Sequence, residues 1–285
     1  MPGKRSQWLG RNHQYRLVSV IAVDRLGWLW RAENAFLSQP VTARVLRQSL
    51  GSDPEFVARF RRVMDQVSRE VVHPNAAAVF NYNWGDDGPT QFIVMEAVEG
   101  EPLAQRIGRG MDTARSLRIV AQVADAVQAA HAAGIVHGNL SPTTVMLSAH
   151  DGVKVLDFGL GAAAWDRPLT LGRGDAYVPP EWVLAAKRRP SWDAYAVAVL
   201  LHHLLTGTPD LPEAGLVTAG NGSTGLAADD PDTAREIFPR IGEQLARTWC
   251  RALARDPRDR PRVEELSAAL RPVDGRERRA AEDTP

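Results

Sequence analysis

The sequence predicts an α+β protein of two lobes, with a small β-rich first lobe containing one helix and a larger, mainly α-helical second lobe. Predicted strands and one helix occupy the stretch from Tyr15 to Ala97, whereas helical periodicity dominates the chain after Gly100. The 285 residues are enough for one large domain or two lobes. The predicted divisions are a basic arm over 1–14, the first lobe over 15–98, the second lobe over 99–272 and a charged, mobile tail over 273–285.

The first lobe contains two strand patterns with a helix between them. Residues 41–46 place small and β-branched side chains at alternate positions, and residues 91–97 form a more apolar run, so both are predicted strands. Asp53 is the expected N-cap of the helix, and Pro54 is its expected first residue. One apolar stripe at helical spacing follows, formed by Phe56, Phe60, Val63, Val67 and Val71.

The second lobe contains three predicted helices. Asp112 is placed to cap a helix that runs to Gly134, and a short strand follows over 153–156. An almost wholly apolar stretch over 192–206, ended by Gly207, is typical of a buried central helix. The Gly- and Ala-rich residues 211–233 predict a long loop, and residues 264–270 predict the last helix.

The composition excludes several classes of function. Lys+Arg and Asp+Glu both number 34, so no overall basic charge favours nucleic acid or an anionic membrane. The single cysteine, Cys250, excludes an internal disulfide framework and a cysteine-rich metal site, and it fits a reducing, cytoplasmic compartment. The most apolar stretch is interrupted by His202 and His203 and is shorter than the roughly 20 residues that a membrane span needs.

Five short strings follow one another in a fixed order along the chain. They are His137-Gly138-Asn139 within 135–147, Asp157-Phe158-Gly159, residues 177–181 ending in Glu181, Asp193 in the apolar helix, and residues 256–260 ending in Arg260. In this order they resemble the eukaryotic-like Ser/Thr protein kinase family, and its bacterial members in particular, over roughly residues 15–270. The resemblance implies the two-lobed kinase fold.

The resemblance also implies which residues support the architecture. His137 and Phe158 are expected to stack, and Asp193 is expected to bind the backbone of the catalytic loop. Glu181 is expected to pair with Arg260 within the second lobe. These structural positions all carry the family's residue types.

The positions that bind ATP in the family are altered. Only Gly27 matches a glycine of the phosphate loop, since Asp24 adds a side chain and a negative charge there. Arg44 replaces the strand lysine, and a planar guanidinium does not reproduce a compact ammonium. The partner glutamate falls at Val63 or Met64, so Arg44 is expected to have another partner.

The catalytic loop departs furthest from the family. Asn139 replaces the base aspartate, and an amide cannot take up the substrate proton. Ser141 replaces the lysine and Thr144 the metal-binding asparagine, which leaves Asp157 without its co-ligand. The sequence therefore predicts an inactive homologue, a pseudokinase with no cofactor and no metal site.

The leading functional prediction is a phospho-regulated scaffold. Thr284 in the predicted tail follows two acidic residues and is the main candidate acceptor, with Thr170 and Thr208 as lesser ones. The expected partners are an active Ser/Thr protein kinase and a forkhead-associated protein that reads phosphothreonine. Within the family, the chain resembles the pseudokinase domain of a bacterial membrane protein of peptidoglycan precursor export. That resemblance places it on the inner face of the cell membrane.

Two other functions remain open from the sequence. In the first, ATP binds without transfer through the hinge after Met95 and changes the closure of the lobes. In the second, the chain is an active kinase that uses other carboxylates, for which Asp24 and Asp151 are available.

Overall fold

A six-stranded antiparallel sheet forms the first lobe of the protein. We describe it from a computed structural model that covers residues 7–83, 90–109, 111–164, 176–181, 189–211, 216–218, 224–226 and 241–271. The strands are β1 Trp8–Leu9, β2 Tyr15–Val23, β3 Gly27–Asn34, β4 Gln39–Leu46, β5 Val79–Asn83 and β6 Phe92–Glu96, in the order β1-β2-β3-β4-β6-β5.

Strand β4 lies inside the sheet and carries the residue that matters most for the site. It pairs with β3 on one side and β6 on the other, so that Arg44 lies between Leu29 and Ile93. Residues 41–46 are all buried, as expected for a strand covered on both faces. The two strands predicted from the sequence are therefore confirmed.

The predicted helix of the first lobe is present as α2 (Pro54–Glu70), which follows a short helix α1 (Gln48–Gly51). The side chain of Asp53 accepts a hydrogen bond from the backbone N–H of Glu55 at 3.0 Å, which is the predicted N-cap. The apolar face of α2 buries Phe56, Phe60, Met64 and Val67. Met64 was not in the predicted stripe, whereas Val63 lies half-buried beside it.

The second lobe is mainly helical in its described part. Its helices are α3 Thr113–Ala132, α4 Leu160–Ala163, α5 Pro190–Thr206, α6 Glu243–Ala252 and α7 over 263–271. A small sheet of β7 (Glu101–Pro102), β8 (Val145–Leu147) and β9 (Val153–Val155) lies beside the catalytic loop. Asp112 caps α3 by accepting from the N–H of Arg115 at 2.7 Å, as predicted.

The apolar helix α5 is the centre of the second lobe. It contacts α3 and α6, and the indole N–H of Trp249 donates to the carbonyl of Ala198 at 2.9 Å. Gly207 ends the helix with a φ of +83°, a left-handed conformation that glycine adopts without strain. The predicted buried central helix is therefore confirmed.

Two parts of the chain differ from the expectation. Trp8 and Leu9 pair with Arg16 and Tyr15, so this part of the predicted loose arm is a strand. Within the predicted loop over 211–233, strands β10 (Leu216–Thr218) and β11 (Thr224–Leu226) pair with each other. The predicted tail lies outside the described residues. Among the residues that the structure describes, no helix has both the length and the apolarity needed to cross a bilayer.

Candidate active site between the two lobes

An ion pair between Arg44 and Asp157 joins the two lobes. The guanidinium Nε of Arg44 donates to Oδ1 of Asp157 at 3.2 Å, and its Nη2 donates to Oδ2. Both side chains are fully buried. Burial alone lowers the pKa of Arg44, but the charges of Asp157 and Asp24 more than offset this, so the pKa is raised and the guanidinium stays charged.

Helix α2 contributes no acidic partner to Arg44. Val63 lies so close to Gly159 that a Cβ on this glycine would overlap its side chain. Met64 is buried among apolar residues, and Asp65 instead accepts a hydrogen bond from the hydroxyl of Tyr82. Burial, together with Asp65, raises the pKa of Tyr82 to about 12. The prediction that Arg44 has another partner is confirmed, and this partner is Asp157 with Asp24.

The loop between β2 and β3 folds down onto Arg44. Oδ1 of Asp24 accepts hydrogen bonds from the N–H of Leu26 at 2.8 Å and of Gly27 at 3.1 Å, while its Oδ2 accepts from Arg44 at 3.0 Å. Arg47 donates to the carbonyl oxygens of Asp24 and Arg25 at 2.8 and 3.0 Å. A Cβ on Gly27, whose φ is +149°, would overlap the backbone of β4, so this close approach requires glycine.

The catalytic loop is held by hydrogen bonds between hydroxyls and backbone. The hydroxyl of Thr144 accepts from the N–H of Ser141 at 3.1 Å and donates to its carbonyl at 3.0 Å. The amide oxygen of Asn139 accepts a hydrogen bond from Arg25, so the phosphate loop contacts the catalytic loop directly. The sequence did not predict this contact, because it joins residues 114 positions apart.

Asp193 supports the catalytic loop from beneath. Its carboxylate accepts hydrogen bonds from the N–H of His137 and of Gly138, both at 2.8 Å, and contacts Nε2 of His131 at 2.7 Å. Burial alone raises the pKa of Asp193, but its contacts with His131 and the nearby donors outweigh this and lower it. The contact with His131 was not predicted from the sequence.

The other two pairs of structural residues implied by the family resemblance, His137 with Phe158 and Glu181 with Arg260, are in contact. The rings of His137 and Phe158 lie 5.0 Å apart in an edge-to-face arrangement. Arg260 donates to both oxygens of Glu181 at 2.8 and 2.7 Å, and its guanidinium lies 5.0 Å from the ring centre of Tyr195. The sequence did not single out Tyr195.

Acidification is expected to destabilise the protein through His137. Burial lowers the pKa of His137, so the folded protein keeps this ring neutral at a pH where the unfolded chain takes up a proton. Below about pH 6.5 the free energy of unfolding then falls by at most about 1.4 kcal/mol per pH unit for this group. Urea unfolding at a series of pH values measures this slope, which His137→Gln should reduce. His150→Gln, at an exposed site, is the control, and equal slopes in both variants would contradict the assignment.

The residues as arranged do not fit a divalent cation. Both oxygens of Asp157 are bonded to Arg44, and the hydroxyl of Thr144 is bonded to the backbone. In the described part of the chain, no group of three or more His, Cys, Asp or Glu side chains has the spacing for a metal ion. A cation at Asp157 would require Arg44 to leave first.

The hinge after Met95, which one of the alternatives left open by the sequence offered to ATP, is bonded internally. The N–H of Val98 donates to the hydroxyl of Thr42 on β4 at 3.2 Å. Thr42 is buried, and a base at the hinge would have to replace this contact. Thr42 was not among the residues predicted from the sequence, although its hydroxyl in a strand predicted to be buried was a visible signal.

A groove of about 540 Å³ opens in front of the catalytic loop. Its lining includes Asp24, Asn139, Ser141 and Tyr177, and the hydroxyl of Tyr177 lies 2.6 Å from Nδ1 of His203. Asp151, which the sequence offered as an alternative carboxylate, instead pairs with Arg115 at 2.7 Å. The groove therefore combines hydroxyl and amide groups with the carboxylate of Asp24 and the basic side chains of Arg25 and His203.

Comparison with known proteins agrees with this architecture. A family model described as protein kinase domain matches residues 59–269. This chain belongs to the protein kinase family. It is 35% identical over 96% of its length to the serine/threonine-protein kinase pkn3 of Myxococcus xanthus, and 33% identical over 72% to PknA of Mycobacterium tuberculosis. The kinase domain of M. tuberculosis PknI has the same fold, with a TM-score of 0.70 and 23% identity over 91% of this chain and 95% of that one.

These relatives correct one prediction from the sequence. We predicted an inactive homologue, but the matched relatives, which include PrkC of Bacillus subtilis at 29% identity, are named Ser/Thr protein kinases, and nothing positively shows inactivity. The prediction that the chain is not an enzyme is therefore wrong. Replaced residues lower the rate of a step, but on their own they do not show that the reaction is lost. The kinase domain spans about half the length of the relatives, 52% of pkn3 and 49% of PknA.

Proposed function

We propose that this chain is the catalytic domain of a Ser/Thr protein kinase that the ion pair between Arg44 and Asp157 holds in a resting state. The observation that carries this proposal is the fully buried guanidinium bonded to both oxygens of Asp157. The proposed activity is the one that the names of the relatives state, transfer of phosphate to serine or threonine of a protein. Transfer requires Arg44 to release Asp157, so opening of the cleft controls the reaction.

The chain's own residues support slow transfer. Asp193 orients the catalytic loop through two backbone N–H groups, and Asn139 lies in the groove where its amide can orient a hydroxyl. Phosphoryl transfer in this family depends mainly on positioning and charge, with little covalent chemistry for the protein. An amide at position 139 gives up the contribution of a general base, which is about 10²–10⁴-fold.

Restoring the carboxylate should raise the rate. We expect Asn139→Asp to increase transfer of labelled phosphate from ATP to a protein substrate by about 10²-fold, the lower end of the range, because Arg25 will pair with the new charge. Asn34→Asp, at the last residue of β3, is the matched control and should leave the rate unchanged. Asp157→Asn should abolish transfer. Absence of transfer in both the unaltered domain and Asn139→Asp would reject the proposed activity.

A second role, as a substrate and scaffold, rests on the sequence of the tail. Arg278 and Arg279 followed by Glu282, Asp283 and Thr284 support phosphorylation by a Ser/Thr kinase and recognition by a forkhead-associated protein. The link to peptidoglycan precursor export, through the resemblance to the intracellular domain of mycobacterial MviN, belongs to this role. Thr284 and Thr170 lie outside the described residues, whereas Thr208 is exposed and bonded to Asp210 at 3.2 Å.

Capture of a forkhead-associated domain tests this second role. The full chain, phosphorylated by an active bacterial Ser/Thr kinase, should retain the domain, and Thr284→Ala should lose it. Thr208→Ala is the matched control and should keep it. Retention by Thr284→Ala would contradict the assignment of the site.

A further inference from the structure

The carboxylate of Asp24 receives three hydrogen bonds of the kind that proteins offer to phosphate. Two come from the consecutive backbone N–H groups of Leu26 and Gly27, and the third comes from the guanidinium of Arg44. Backbone amides of a glycine-containing turn and a guanidinium are both preferred donors to phosphate oxygens. A loop carboxylate bonded only to its own turn would be an ordinary local motif. The contact with a fully buried cation distinguishes this one.

We propose that Asp24 is a built-in substitute for phosphate. In this inference, residues 24–27 and Arg44 form an anion site for an oligophosphate, and the side chain of Asp24 fills that site in the resting state. The inference rests on the proposed function for its physiological ligand, which would be the triphosphate of ATP. It adds that this ligand must displace Asp24 before it can bind.

The charges around Arg44 explain why Asp24 and a bound oligophosphate exclude each other. One guanidinium lies between two carboxylates, Asp24 and Asp157, so the cluster already carries a net negative charge when Arg44 is protonated. A polyphosphate entering beside Asp24 would be repelled, and the tethered carboxylate has the advantage of a high effective concentration. Removing the charge of Asp24 should therefore expose a site that is occupied in the unaltered chain.

The position of the loop supports the same conclusion. Arg47 donates to the carbonyls of Asp24 and Arg25, and Arg25 in turn contacts Asn139. At the hinge, the N–H of Val98 already donates a hydrogen bond to the hydroxyl of Thr42. Hydrogen bonds within the chain therefore satisfy polar groups at both the loop and the hinge, so neither region needs a ligand to pair these groups.

The test measures the binding of inorganic tripolyphosphate in metal-free buffer by isothermal titration calorimetry of the full chain. Asp24→Asn keeps an oxygen for the N–H groups of Leu26 and Gly27 but removes the charge, and it should bind tripolyphosphate about tenfold tighter or more than the unaltered chain. Asp24→Ser, which also caps the turn without a charge, provides a second variant should the amide destabilise the loop. Asp53→Asn removes one half-buried carboxylate at the N-cap of α2, where asparagine also caps, and should leave the affinity unchanged.

Equal affinities for the unaltered chain and both Asp24 variants would overturn the inference. So would an equal gain in Asp53→Asn, because it would show a general effect of net charge. The added change Arg44→Met should remove the gain made by Asp24→Asn, which places the ligand at this site. The experiment needs neither ATP nor catalysis. A tighter tripolyphosphate site with no phosphotransfer would thus sustain this inference and reject the proposed activity, and the reverse pattern would do the opposite.

Discussion

Replacing Asp193 with alanine is expected to lower the free energy of unfolding by about 4 kcal/mol. The substitution removes an acceptor that binds the N–H groups of His137 and Gly138 and contacts His131. Each donor left without a partner costs about 1–3 kcal/mol where it is buried, and the partly buried contact with His131 is lost as well. This is a large part of the 5–15 kcal/mol that typically separates folded from unfolded proteins.

Urea unfolding measures this loss. His131→Ala removes only one of the three contacts and should cost about 1 kcal/mol, the typical value of one hydrogen bond. Asp125→Ala is a control on α3, where the carboxylate pairs with Arg271 and accepts a hydrogen bond from the hydroxyl of Ser267, and it should cost no more than about 1–2 kcal/mol. A loss in Asp193→Ala no greater than that in Asp125→Ala would contradict the role of Asp193 as the support of the catalytic loop.

Local patterns predicted the elements that position the site. Asp53 before Pro54 marked the start of a helix because both residues act on the first turn of the chain that follows them. The apolar stretch ending at Gly207 predicted a buried helix, because a helix that is buried on all sides is apolar at nearly every consecutive position. The strands over 41–46 and 91–97 were recognised from alternation and apolarity in short windows.

Contacts between distant residues were outside the reach of these patterns. The sequence indicated that Arg44 lacks a helix partner, but it could not assign Asp157, which lies 113 positions away and meets it only when the lobes pack. The same holds for Arg25 with Asn139 and for Thr42 with Val98. The short strand at Trp8–Leu9 was missed because two residues are too few for any periodicity.

The error about activity had a different cause. The prediction of inactivity rested on Asn139, Ser141 and Thr144, whose amide and hydroxyl groups are weaker in acid–base and ionic chemistry than those the family has there. Residue types of this kind indicate a lower rate, but they do not show that the reaction is absent. The structure shows Asp157 in the cleft and the catalytic loop supported by Asp193. The matched relatives are named Ser/Thr protein kinases, and the weaker groups alone do not show that activity is lost.

Arg44→Met is expected to lower the free energy of unfolding by about 3–5 kcal/mol, because it leaves Asp157 buried without its cation. The methionine fills similar space but donates no hydrogen bond, so the loss comes from an uncompensated charge. The stability of Arg44→Lys should lie between those of the unaltered chain and Arg44→Met. An ammonium keeps the charge but cannot reproduce the planar guanidinium that bonds both oxygens of Asp157.

The double variant Arg44→Met, Asp157→Asn separates this electrostatic cost from a packing defect. Removing both charges eliminates the buried unpaired carboxylate, so urea unfolding should show the double variant to be more stable than Arg44→Met alone by about 1–3 kcal/mol. Asparagine suits this position, since Asp157 has a φ of +64°, which asparagine tolerates better than most residues. Equal stability of the double variant and Arg44→Met would show that Asp157 is not left as a buried charge, and the ion pair would then not be what holds the cleft in its resting state.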